Sequence, residues 1–303
     1  MANEVTGKTS KFFFNGVEQA IQNDNLDVNF TMADSTSTST TSPGSESVPL
    51  RKKVTLKVDA LLYDAFGSEI ATGTLVAGNK YLVTASAGLF DSIHAVGAIF
   101  VSDGTETCTA LEKVKLHGAE ITGGTLEVSI GGTYACTAAD YVVKYGEADS
   151  TTTSTDPTSM ESVALRMKAT SKFEALMYRT TANRITNSAP ASTAIVLTFK
   201  PGTTVTGNAI LHQMSIVDAV NDKVKVTYNA EWQGVPVEVN CGFMTLASAL
   251  ACNKVYETGS GTNNEISGTA ILLGKSITAD VNSETKISYD GVFNGAIVPA
   301  VYS

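Results

Sequence analysis

Residues 33–63 read ADSTSTSTTSPGSESVPLRKKVTLKVDALLY, and residues 148–178 read ADSTTTSTDPTSMESVALRMKATSKFEALMY. The two stretches align without a gap, and more than half of the positions are identical. Asp34 matches Asp149, Glu46 matches Glu161, Arg51 matches Arg166 and Tyr63 matches Tyr178. Low-complexity Ser/Thr runs inflate such matches, but this one continues beyond the run into ESVxLRxKxT and ALxY. A segment that repeats both its loop and its following strand implies a duplicated folding unit. Such a chain uses one surface twice, which suits a ring, tube or array better than an enzyme with one pocket.

A second duplication lies further along. TGNAILHQMSIVDAVNDKVKVTYNAEWQGV (206–235) aligns without a gap with SGTAILLGKSITADVNSETKISYDGVFNGA (267–296). Gly207 matches Gly268, Ser215-Ile216 matches Ser276-Ile277, and Tyr228 matches Tyr289. The order along the chain is first motif, first motif, second motif, second motif, so the halves are not a head-to-tail tandem.

Periodicity fills in the rest as mainly β. KFFF, then Asn15-Gly16, then LDVNFTM with Leu26, Val28, Phe30 and Met32 in alternation, predicts a hairpin over 11–32. Residues 34–49 form a polar loop. In the strand that follows, Val54, Leu56 and Val58 share one face, and Thr55 and Lys57 the other. Residues 65–112 read as a small β insertion with Gly-containing turns. LEVSI and YVVKY supply further alternating runs within 113–145. Each copy of the second motif predicts two strands, with Asn221-Asp222 or Asn282-Ser283 at the turn. FMTLASALACNKVYE (243–257) is rich in Ala and Leu and predicts the one helix. ESVALRMKATSKFEALMYRT has helical character too. Its matched partner is β-branched and alternating, and duplicated segments share a state, so strand is preferred for both.

The chain has 303 residues, enough for two domains or for one large β domain with insertions. Charge is sparse, and Thr, Ser, Ala, Val and Gly are plentiful. A net charge of −9 argues against a nucleic-acid-binding surface, which must neutralise phosphates with Lys and Arg. An acidic wall can still surround DNA, because like charge keeps the DNA from sticking. Cys108, Cys136, Cys241 and Cys252 form no CxxC and read as small buried apolar residues in a reducing compartment. The N-terminal MANEVTGKTSKFFFNG lacks a signal-peptide pattern, and no apolar run approaches membrane-spanning length. The expectation is a soluble protein made and assembled inside a cell.

Searching for chemistry yields little. Gly268 to Ser276 resembles a phosphate-binding loop but has five residues between its glycines, and the matched copy carries His212-Gln213-Met214-Ser215 instead. His94, His117 and His212 have no metal-ligand spacing. No GxSxG elbow and no Cys with an evident His partner is present. Asn29-Phe30-Thr31 is a glycosylation sequon by pattern alone. The expectation is no enzyme, with no catalytic, metal or cofactor-binding residues and no cofactor. Asp34 and Asp149 open the Ser/Thr loops, where an Asp side chain bonds nearby backbone N–H groups. The pairs Glu46/Glu161 and Arg51/Arg166 recur at equivalent places. They read either as solvated strand ends or as intersubunit ion pairs repeated round a ring. Asp34, Glu46, Arg51, Asp149, Glu161 and Arg166 are the candidate intersubunit contacts.

A strand, a polar loop opening on Asp-Ser/Thr, a (P)GSExxPxR-like element and an apolar strand resemble the tail tube (major tail) proteins of long-tailed bacteriophages. SGTAILLGKSITADVNSETKISYDGVFNGA resembles the closing strands of that fold. The resemblance covers about two-thirds of the chain. It implies two related tail-tube-like β-sandwich/barrel units with at most one short helix each, plus the small β insertion. The tidiest pairing is nested: 1–64 plus 238–303 as an outer unit, 65–112 as the insertion, and 113–237 as a second unit. Interleaved pairing is the alternative. The implied function is a structural virion protein that self-assembles into stacked rings, forming the tail tube through which DNA is ejected without specific binding. Three copies would close a pseudo-hexameric ring, and six copies are the alternative. Implied partners are other copies of the chain and further tail proteins such as the tape measure and terminator. No membrane is involved, and the location is the virion, after assembly in the host bacterial cytoplasm. A capsid decoration or head–tail connector protein is a second reading. A β-sandwich adhesin or carbohydrate-binding module is a third.

Overall fold

The computed structural model describes residues 11–19, 21–34, 47–62, 69–109, 111–117, 126–151, 159–176, 191–200, 203–217, 223–257, 263–281, 283 and 285–299. Among them the chain is strand and loop throughout. The first strands are β1 (Lys11–Phe14), β2 (Val17–Gln19), β3 (Asn23–Asp34) and β4 (Ser47–Leu61). Asn15 and Gly16 join β1 to β2 with φ of 53° and 75°, the left-handed pair that a two-residue hairpin turn requires.

A small module follows, made of β5 (Glu69–Ile70), β6 (Gly73–Thr74), β7 (Lys80–Ala85), β8 (Ile99–Val101), β9 (Thr107–Cys108) and β10 (Lys113–His117). Its four-stranded sheet runs β5-β10-β7-β8, and β6 pairs with β9. It has its own core of Leu75, Tyr81, Val83, Phe90, Phe100, Cys108 and Val114. The pairing of β10 with β5 and β7 carries this module to His117, beyond the break expected at 112.

The next strands are β11 (Glu127–Ser129), β12 (Thr133–Asp149), β13 (Ser162–Leu176), β14 (Ser192–Lys200), β15 (Thr203–Val217), β16 (Lys225–Trp232) and β17 (Val237–Val239). The chain ends with β18 (Ala249–Glu257), β19 (Asn263–Asp280), β20 (Lys286–Phe293) and β21 (Val298–Pro299).

Hydrogen bonding sorts these strands into two rings. One path runs β11-β14-β15-β16-β13-β12 and closes because β12 also pairs with β11. The other runs β1-β18-β19-β20-β4-β3. Its two ends are linked by the chain and not by a ladder: β2 pairs with β1, and β3, which follows β2 in sequence, pairs with β4. All ladders in both rings are antiparallel. In sequence, the β11–β16 ring lies between the two parts of the β1–β20 ring.

The central ladders of the two rings match residue for residue. Val58 lies opposite Tyr289 in one and Phe173 opposite Tyr228 in the other. The differences are 115 and 61, the two offsets of the sequence duplications. Asn23 opposes Asp59 as Ala138 opposes Glu174, so β3 and β12 correspond at the offset of 115. Even the bulges repeat, at Phe30/Met32 and Tyr145/Glu147, and at Leu211/Gln213 and Leu272/Gly274. A bulge fixes register and twist, so its repetition marks a common architecture rather than a shared composition.

The long core strands bury alternate side chains over their central stretches, as half-buried β-structure demands. Along β16 the inward residues are Val226, Tyr228, Ala230 and Trp232. Val54, Leu56 and Val58 of β4 point inward as their alternation predicts. One continuous apolar core joins both rings. In it Phe173 stacks on Tyr228 at 5.3 Å, and Trp232 meets Tyr141 edge to face at 6.1 Å. The Trp232 indole N–H donates to Ser171 Oγ at 2.8 Å.

The helix expected over 243–257 does not form. Residues 243–248 are irregular and 249–257 are β18. Both edges of that segment are occupied, by β1 and by β19, so a full set of inter-strand hydrogen bonds outweighs the helical preference of Ala and Leu.

Candidate assembly interface

The two rings are joined by one edge. β12 holds β13 on one side and β19 on the other, with Ala138–Lys144 lying antiparallel to Gly274–Asp280. Tyr141 sits opposite Ile277, and both are fully buried. β17, which pairs with β15, carries Glu238 to this joint. The Tyr141 hydroxyl donates to Glu238 Oε1 at 2.7 Å, and Lys275 Nζ is ion-paired to Glu238 Oε2. The same ammonium lies 6.0 Å from the centre of the Tyr141 ring. Burial, followed by the Glu238 charge, pushes the Tyr141 phenol far above its usual value, so it stays protonated and donating. The loop after β17 is pinned by Tyr289, whose hydroxyl accepts from the Phe243 N–H at 3.0 Å.

Exposed ion pairs flank the joint. Arg51 Nη1 of β4 meets Asp149 Oδ2 of β12 at 3.1 Å, and Lys53 Nζ meets Glu147 Oε2 at 2.7 Å. Asp149 also accepts from the backbone N–H of Thr151 at 2.8 Å, the local role expected of an Asp that opens a loop. Hydrogen bonds from the Thr151 hydroxyl and N–H, with Arg51 adding its charge, hold the Asp149 carboxyl below its usual range. Past the second Ser/Thr-rich stretch of sequence, the Met160 N–H donates to Lys52 O at 3.0 Å, and the Gly295 N–H donates to Met160 O at 2.9 Å. The structure thus brings Arg51 and Asp149 together across the joint of one chain. Glu161 lies at the start of β13, its N–H donating to Thr151 Oγ1 at 2.8 Å, and Arg166 is exposed. Glu46 lies outside the described residues, and of Asp34 only the backbone is described, opposite Ser47.

Among the described residues the counterparts of the joint's two edges are open. β3 corresponds to β12, and its only strand partner among the described residues is β4. β15 corresponds to β19. Beyond Ile210, where β14 ends its pairing, the outer edge of β15 carries no strand among the described residues. Exposure changes accordingly. Ile216 is 51% exposed and its counterpart Ile277 0%; Met214 is 43% exposed and Lys275 5%; Val28 is 43% exposed and Val143 1%. Phe30, Met32 and Val217 are exposed along the same two edges. Open, apolar strand edges are what soluble β proteins otherwise avoid.

Chemistry outside the joint is sparse. The four cysteines are free and buried, and burial pushes the thiols of Cys136, Cys241 and Cys252 up to about 12. Among the described residues no group of three His, Cys, Asp or Glu could hold a metal ion. The His94 ring stacks on Phe100 at 4.3 Å. Lys275, part of the apparent phosphate-loop pattern, lies within β19 with its ammonium engaged by Glu238. No helix among the described residues is long and apolar enough to cross a membrane.

Sequence reasoning singled out the flanking charges and missed Tyr141, Glu238, Lys275 and the apolar edge residues Val28, Met214 and Ile216. The usable signal was alternation. Leu26, Val28, Phe30 and Met32 alternate as a buried strand does, yet a single chain leaves three of them exposed.

The chain matches no protein-family model, and no curated protein matches it.

Proposed function

We propose that this chain is a self-assembling structural subunit whose copies join edge to edge into rings, and that stacked rings form the tail tube of a long-tailed bacteriophage. The observation that carries the reading is the internal joint. The chain pairs β12 of one ring with β19 of its duplicate and, among the described residues, leaves the equivalent edges, β3 and the far part of β15, open and apolar. A head-to-tail contact of this kind uses different patches on its two sides. Such a contact repeats, and it closes into a ring when its rotation divides the full circle.

Three copies present six related units, which favours a trimer over a hexamer of chains. The net charge of −9 suits a channel through which DNA slides without binding. The phage tail assignment rests on the sequence resemblance, and the assembly assignment on the edges. Mass measurement of the smallest closed assembly tests both the ring and its count. Three copies weigh about 95 kDa, three times 31.7 kDa. Negative-stain microscopy is expected to show rings or hollow tubes. A stable monomer at high concentration overturns the reading.

A further inference from the structure

We infer that the intersubunit contact is a β-ladder between β3 of one copy and the outer edge of β15 of the next, in the register of the internal β12–β19 joint. The inference rests on the self-assembly reading above and gives it an atomic partner: a second copy of this chain.

The register follows from the duplication. Tyr141 opposes Ile277 in the joint. Subtracting 115 from the first number and 61 from the second puts Leu26 opposite Ile216. The neighbouring pairs are Asn25 with Val217, Asp27 with Ser215, Val28 with Met214, and Asn29 with Gln213. Both offsets hold along the three corresponding ladder pairs that contain these edges and their neighbours, β3–β4 with β12–β13, β4–β20 with β13–β16, and β19–β20 with β15–β16, bulges at Phe30/Met32 and Leu211/Gln213 included. The two edges are antiparallel partners in waiting, each with its other side already bonded, β3 to β4 and β15 to β16.

Composition at the counterpart positions fits an interface between chains. Where the internal joint has Tyr141 and Lys275 around Glu238, the open edges have Leu26 and Met214. Leu26, Val28, Met214 and Ile216 would form one apolar patch on a single face of the new ladder. Backbone bonds set direction and register, and the side chains supply the burial. The Arg51–Asp149 pair that flanks the joint has its sequence counterparts in Arg166 and Asp34, one on each side of the proposed contact.

Cysteine cross-linking on the full chain tests the register. Two variants are made, Leu26→Cys with Ile216→Cys, and Asp27→Cys with Ser215→Cys. Successive pairs in an antiparallel ladder alternate between wide and narrow spacing, so one of the two suits a disulfide. The control is Asp27→Cys with Val217→Cys, one diagonal step away. The native thiols are buried with raised pKa values and so contribute little background. Oxidation with diamide is expected to give covalent dimers and higher species, at least tenfold more from an in-register pair than from the control. Rings of the expected mass with no in-register preference overturn this interface and leave the ring reading standing. A chain that stays at 31.7 kDa at high concentration overturns both. Hydrogen exchange on the unsubstituted protein serves as a check that needs no variant. The amides of 25–29 and 213–217 are expected to gain protection on assembly, and unchanged exchange there overturns the inference.

Discussion

Ile216 and Ile277 hold the same place in two copies of one strand, but Ile277 is sealed against Tyr141 and Ile216 stands half-exposed. The difference lies in the partner and not in the strand. One substitution at the two sites therefore separates assembly from folding. Ile277→Asp buries a charge in the joint and is expected to cost about 4 kcal/mol or more, or to prevent folding. Ile216→Asp is expected to leave monomer stability within about 0.5 kcal/mol and to abolish assembly. Urea denaturation and sedimentation read the two effects. Equal loss of stability at both sites would sink this account.

Part of the architecture was legible in the sequence. The β4 and β13 segments carry the duplication and share a state. The Asn15-Gly16 turn and the strand pairs of the second motif were readable as local chemistry. The correspondence of β3 with β12 was hidden, because Leu26 stands where Tyr141 does, Asp27 where Val142 does and Asn29 where Lys144 does. A strand needs only a matching burial pattern to keep its place, so identity drifts. β18 was misread because its order comes from β1 and β19, which are distant in sequence. Local propensity carries no trace of that pairing. Glu238 gave no local signal either, since its partners Tyr141 and Lys275 lie on other strands.

The half-buried ion pair at the joint is expected to respond asymmetrically. Lys275 is almost fully enclosed, while Glu238 keeps some contact with water. Glu238→Ala strands the buried ammonium and the Tyr141 hydroxyl, and is expected to cost about 3–5 kcal/mol. Lys275→Met places at this site the residue found at its duplicate, Met214, and is expected to cost about 1–2 kcal/mol. The double variant is expected to be more stable than Glu238→Ala alone. A strictly additive cycle in chemical denaturation would count against the coupling.

Acid sensitivity is expected from Glu174. Its carboxylate accepts from the Thr137 hydroxyl and pairs with Lys225 at 3.1 Å. The Thr137 hydrogen bond, then Lys225, holds its pKa below the ordinary 4.5. A depressed pKa in the folded state contributes stability that is complete above pH 4.5 and is lost as pH falls through the folded value. Melting temperature is therefore expected to decline below about pH 4.5, as the unfolded chain binds the proton first. Thr137→Val is expected to make that decline shallower. An unchanged pH profile in the variant would remove Glu174 from the explanation.

Gly242 places the loop that follows Glu238. Its φ of +134° is one that side chains rarely adopt, and an added Cβ would overlap the Tyr289 hydroxyl and approach Ile287 Cδ1 at 2.9 Å. Neither neighbour can move freely, since Tyr289 is fully buried and anchors the Phe243 N–H. Gly242→Ala is expected to cost about 2–3 kcal/mol through combined backbone strain and overpacking. Gly234→Ala, at a φ of +78° with open space around it, carries strain without overlap and is expected to cost less. Urea midpoints of the two variants give the comparison. If Gly242→Ala were no worse than Gly234→Ala, the Tyr289 contact would not be what holds this loop over the joint.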